Sequence, residues 1–211
     1  MRRTTARAGR LTLAVAIGVG VVGLAACGDD YGSDDGDDDE GGVGETTEQV
    51  TDPEAAELVG EVEGGDAFVA IVAAEDGEVT AYVCDGEEGE MATTGEWFTG
   101  ELDGTELLLE ADSGATLEAV LTDDGATGTY TSADGAVQAL TAEPAEGDAG
   151  LYRGEDGDVV AGFVVANDGD DRGSIVVAGR PAAFARPAFS TANPVLLLPA
   201  MPQLQLAPVG G

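Results

Sequence analysis

Two thiols are the most reactive groups in this chain, Cys27 and Cys84. Cys27 closes the run Leu24-Ala25-Ala26-Cys27 and is followed by Gly28, so its neighbours are small. Cys84 ends the apolar run Val79–Cys84. Free cysteine is among the most buried residue types, which makes Cys84 a small core side chain. Nothing nearby in sequence would create a thiolate there, because the chain has no histidine at all. The same absence disarms the serines: Ser33, Ser113, Ser132, Ser174 and Ser190 have no His partner and no G-x-S-x-G context. Carboxylates are plentiful, and a facing pair is what glycoside hydrolysis requires, but they cluster in turns where solvent holds them. A metal site would have to be all-oxygen, with Asp168, Asp170 and Asp171 the best grouping in the body of the chain. Tyr82, Trp97 and Phe98 offer either a ligand surface or core. The residues thus point to no catalytic set, no metal and no cofactor, and the expectation is a protein that is not an enzyme.

The charge balance narrows the partners. The formal net charge is −34, from 8 Lys+Arg against 42 Asp+Glu. Four of the basic residues, Arg2, Arg3, Arg7 and Arg10, precede every acid. The rest of the chain carries only Arg153, Arg172, Arg180 and Arg186. Such a body repels phosphate backbones and anionic head groups, so no nucleic acid is expected as a partner. Its acidity favours solubility through self-repulsion.

Residues 1–26 have the layout of a removable export signal. Met1 to Arg10 is basic, Leu11 to Gly23 is uncharged and apolar, and Ala25 and Ala26 stand before Cys27. The apolar run is shorter than the ~20 residues a spanning helix needs, and its glycines weaken a helix. The Leu24-Ala25-Ala26-Cys27 end, with Gly28 behind it, resembles the lipobox of bacterial lipoproteins. The resemblance implies cleavage between Ala26 and Cys27, a diacylglyceryl thioether on Cys27 and an N-acyl chain on its new amino terminus. Two or more acyl chains anchor stably, at ~0.8 kcal/mol per buried methylene. The protein is then expected at the outer face of the cytoplasmic membrane, held there by the lipid on Cys27. With Cys27 modified, Cys84 is left alone and no intramolecular disulfide is possible.

Residues 27–63 read as a disordered acidic linker, almost wholly Asp, Gly, Glu and Ser up to Gly44. Like charges extend such a stretch into a stalk. Asp34, Asp35, Asp37, Asp38, Asp39 and Glu40 do not have calcium-loop spacing, since after the D-x-D-x-D start no Gly falls at position six and no Glu at position twelve. A short helix is predicted over 53–60, with Pro53 in the first turn and Gly60 as its stop.

Residues 64–211 form the β domain. Apolar and β-branched runs recur at Ala67–Ala73, Val79–Cys84, Glu96–Leu102, Thr105–Glu110, Thr116–Thr122, Ala126–Thr131 and Ala136–Ala142. Asp-Gly or Ser-Gly pairs separate them, and these suit tight type I′ hairpins. The rhythm predicts a mainly β fold, an antiparallel up-and-down meander or small β-barrel. Leu107 and Leu109 face one way, Glu106, Leu108 and Glu110 the other; Leu117, Ala119 and Leu121 alternate likewise. Leu151-Tyr152-Arg153, Val159–Ala166 and Ser174–Ala178 either extend this sheet or pack on it as a second unit. From about residue 180 prolines bar long strands, and the tail is expected to wrap the body through Leu196, Leu198, Leu204 and Leu206.

Ala81-Tyr82-Val83-Cys84-Asp85-Gly86, Trp97 before Gly100, Ala126-Thr127-Gly128-Thr129 and Gly150-Leu151-Tyr152-Arg153 are similar to a β module of exported actinobacterial proteins. That resemblance carries no activity and no site residue. The function expected is a lipid-anchored cell-surface protein acting as a binding or envelope-interaction module. The alternatives are a small-ligand-binding β-barrel, which needs a lined internal cavity, and a carboxylate-based hydrolase, which needs two converging acids.

Overall fold

In the computed structural model, residues 55–199 and 201–210 are described, and every regular element among them is a strand. The first eight are β1 (Ala56–Val62), β2 (Phe68–Ala73), β3 (Glu78–Cys84), β4 (Gly95–Glu101), β5 (Glu106–Glu110), β6 (Thr116–Thr122), β7 (Gly125–Thr131) and β8 (Val137–Pro144). They form one antiparallel sheet in the order β4-β3-β2-β1-β8-β7-β6-β5. Two meanders join where β1 pairs with β8, and the sheet edges β4 and β5 are consecutive in sequence. The result is a nearly closed up-and-down barrel. Side chains bridge its seam: Ser113 Oγ donates to Glu96 at 2.8 Å. Farther along, Leu109 lies so close to Gly100 that a Cβ there would meet its Cδ2 at 2.5 Å.

The expected alternation fills this barrel. Ile71, Phe98, Leu107, Leu109, Leu117, Leu121 and Leu140 all point inward and are buried. Each such side chain contributes roughly 1.5–3 kcal/mol on leaving water. The interior is packed with side chains, as in small closed barrels.

A second antiparallel sheet packs on the outer face of β1–β3. It comprises β9 (Gly150–Asp156), β10 (Val159–Val165), β11 (Asp171–Val177), β12 (Arg180–Pro181) and β15 (Ala207–Pro208), in the order β12-β11-β10-β9-β15. Val59, Phe68, Ala70, Val72, Tyr82 and Cys84 meet Leu151 and Val164 between the sheets. β2 is therefore buried along its whole length, which is why it reads as an unbroken apolar run. The far face of the second sheet is covered by the hairpin of β13 (Val195–Leu198) and β14 (Met201–Gln205). Leu196, Leu204 and Leu206 are the buried anchors there, with Leu198 half-buried.

Three expectations need correction. The helix over 53–60 is absent where the structure describes it, because Ala56–Val62 is strand β1 at the centre of the first sheet. Leu58 faces the barrel interior and Val59 the second sheet, so burial on two faces disguised the strand. The pairing with β2 and β8 prevails over a segment too short to hold a helix alone. The β domain accordingly starts at Ala56 and not at residue 64. Third, the Asp-Gly and Ser-Gly turns are not type I′, which needs positive φ at both central residues, as only Ala178-Gly179 among the described two-residue loops has. Gly77, Gly114 and Gly135 take positive φ, but the residues before them do not. At the first of these, Gly77 N–H donates to Ala74 O at 2.9 Å and Ala74 N–H to Glu78 O at 2.8 Å. That is a type I turn closed by a glycine bulge, repeated around Gly114, Gly135 and Gly169. Asp85-Gly86 starts no tight turn: the Asp85 carboxylate accepts from Thr93 N and Thr94 N, both at 2.8 Å, tying down the 85–94 loop.

Candidate functional site

The lipobox residues Leu24, Ala25, Ala26 and Cys27 and the acidic stretch that follows them lie outside the described residues. Among described residues the sequence candidates scatter. Cys84 is fully buried between the two sheets, and burial pushes its thiol far up, with the nearby Asp85 charge adding to the rise. A thiolate there is strongly disfavoured. Ser174 is buried on β11, where its Oγ and the Tyr82 hydroxyl share a 2.6 Å hydrogen bond. Burial also raises Tyr82 well above the usual phenol range. Ser174 is thus a partner for a core tyrosine with no base beside it.

The aromatic trio divides. Tyr82 and Phe98 are core, on opposite faces of the first sheet. Trp97 is half-buried, packed on Tyr82 at 4.2 Å between ring centres with the planes tilted by 32°, and the Arg153 guanidinium lies 4.9 Å from its ring centre. Asp168 and Asp171 of the 168–171 loop are engaged separately. Asp168 Oδ1 accepts from Asp170 N at 3.0 Å, and Asp171 pairs with Arg186 at 2.5 Å. Among the described residues no three Asp, Glu, His or Cys side chains converge to hold a metal ion.

Arginine is used structurally. Arg153 pairs with Glu155, Arg172 with Glu87 and Arg186 with Asp171. Each also lies over a ring, of Trp97, Phe68 and Phe163 respectively. Arg186 is buried, and no sequence signal distinguished it from the other three.

Among the described residues, two sizeable surface concavities bear on binding. One, about 370 Å³, lies where the β8–β9 and β10–β11 loops meet the tail, lined by Asp148, Asn167, Asp168, Phe189 and Ser190 among others. Its polar groups hold each other: Asn167 Oδ1 accepts from Glu146 N at 2.9 Å, and Phe189 is stacked on Phe163 at 4.7 Å. The other, about 640 Å³, runs over the outer face of β5, β6 and β7. Leu108 and Val120 line it, 71% and 45% exposed, with Glu106, Glu118, Thr127 and Thr129 around them. Glu118 stands opposite Leu108, and Glu106 opposite Val120, in the β5–β6 register. The alternation had placed Leu108 on the outer face with Glu106; that it forms a groove with Val120 depends on the curvature of the sheet.

Compared with protein families, curated proteins and solved structures, the chain matches none.

Proposed function

We propose that this chain is an exported lipoprotein, held by lipid on Cys27 at the outer face of the cytoplasmic membrane, whose β body is a non-enzymatic binding module. The observation that carries the reading is the Leu24-Ala25-Ala26-Cys27 end of an uncharged apolar run, with every flanking base ahead of it and the acids behind. The character of the barrel supports presentation of the body in water. Its apolar side chains point inward and Glu106, Glu110 and Glu118 point out, the reverse of a lipid-facing barrel. The packed interior favours recognition at the outer surface over a small ligand held inside. The separate engagement of Asp168 and Asp171 leaves the hydrolase alternative no facing pair in the 168–171 loop.

Replacing Cys27 with Ser tests the anchor. The variant is expected to leave the acylated membrane fraction, and mass spectrometry of the native protein should find its N-terminus at a diacylglyceryl-modified Cys27. A mature N-terminus elsewhere, or membrane retention of the variant, refutes it.

A further inference from the structure

We propose that the groove on the outer face of β5–β7 docks a cationic segment of a partner protein, its apolar side chains on Leu108 and Val120 and its lysines or arginines at Glu106 and Glu118. The proposal deepens the binding-module reading and rests on it. Coverage of the barrel supplies the first argument. The outer face of β1–β3 is sealed by the second sheet, with Phe68, Ala70, Val72 and Tyr82 buried. On β5 and β6 the same outer face leaves Leu108 and Val120 exposed in a concavity of about 640 Å³. Leucine and valine there interlock with carboxylates, each apolar residue directly opposite a glutamate.

Charge complementarity selects the occupant. No lysine or arginine occurs between Arg10 and Arg153, so strands β1–β8 contain no cation. The ion pairs of Arg153, Arg172 and Arg186 go to Glu155, Glu87 and Asp171, none of them in the groove. Glu101, Asp103, Glu106 and Glu118 therefore border the groove without an internal counter-charge. Positive charge has to come from the partner. A second copy laid face to face would oppose carboxylate to carboxylate, and an anionic lipid surface would be repelled. A metal ion lacks a converging set of acids. An extended or helical segment combining basic and apolar side chains satisfies both halves of the surface, with the apolar anchors as the central contacts.

The test uses the full chain in a neutral detergent with a labelled synthetic peptide alternating lysine and leucine, and polylysine of the same length as control. Leu108→Asp and Val120→Asp add negative charge to an already acidic protein, so diffuse attraction would strengthen binding. The docking groove predicts the reverse, each weakening the alternating peptide roughly tenfold. Leu197→Asp, adding the same charge at an exposed position on β13, should leave binding unweakened. Glu106→Gln with Glu118→Gln keeps side-chain shape and should weaken binding more than Glu88→Gln with Glu90→Gln, which removes the same charge outside the groove. Equal losses overturn the proposal even should an aspartate variant fail to fold. Equal binding of polylysine, undiminished binding by the aspartate variants, or self-association through this face would overturn the proposal. Loss of the membrane anchor in the Cys27→Ser chain leaves this measurement unaffected, so the two readings fail separately.

Discussion

Glu57 shows how position on the fold changes one residue's chemistry. It lies on β1 beneath Gly150 of β9, where its Oε1 accepts from Leu151 N at 3.4 Å. Burial raises its pKa above the ordinary value of 4.5, and the Leu151 hydrogen bond offsets part of the rise. A carboxyl raised in this way binds its proton more tightly folded than unfolded. Stability therefore falls as pH rises from about the ordinary value through the folded one, and stays at the lower level above it. Glu57→Gln should raise the thermal midpoint at pH 7 and flatten the pH dependence just above pH 4.5, read by thermal melts across pH. An unchanged midpoint would mean that the carboxylate is well solvated. Cys84 supports a second expectation at this scale. Sealed between two sheets and held as a thiol, it should resist iodoacetamide in the native protein and react once denatured.

Strand β1 carries the architecture of the first sheet, because it joins the β2–β4 meander to the β5–β8 meander. Gly60 allows that junction: a Cβ there would lie 1.9 Å from the Thr141 carbonyl of β8. Glycine at a tightly coiled point of a barrel has this meaning. Gly60→Ala should cost at least the ~1–3 kcal/mol typical of overpacking, since backbone and not a flexible side chain must move. Gly77→Ala is the comparison. It has open space around it but a φ of 87°, so only local strain of about 1–2 kcal/mol applies. Denaturant unfolding of the pair separates crowding from strain, and equal losses would contradict the distinction.

Across the whole molecule, repulsion outweighs attraction. A formal charge of −34 is set against only three ion pairs among the described residues. Only Arg153–Glu155 is exposed at both ends, and such a pair contributes ~0–1 kcal/mol. Arg186 is buried and its pair is screened less, so salt has little to remove. It has much repulsion to screen, and at ~0.15 M ionic strength the screening length falls to about 8 Å. Thermal midpoints should rise from low salt to that strength; a fall would place the ion pairs above the repulsion. The cations are also segregated, all of those past Arg10 lying at β9 or beyond, which leaves the barrel wholly anionic.

The up-and-down strand order and the inward set Leu107, Leu109, Leu117 and Leu121 were legible because period-two alternation survives where one face is wet. The tail anchors Leu196, Leu204 and Leu206 were legible for the simpler reason that apolar residues among prolines have nowhere to go but onto the body. β1 was not, since a strand buried on both faces loses its alternation and Pro53 with Gly60 imitated helix boundaries. The turn class was hidden too, because Asp-Gly suits a two-residue turn and a glycine bulge alike. The sequence alone determined the acidity, the lack of a histidine and the Cys27 context, all local and additive properties. Tertiary structure alone decided that the second sheet stands apart, that Arg186 is buried, and that Leu108, Val120, Glu106 and Glu118 share one groove. Those depend on pairings and curvature between segments far apart in the chain, which no local pattern encodes.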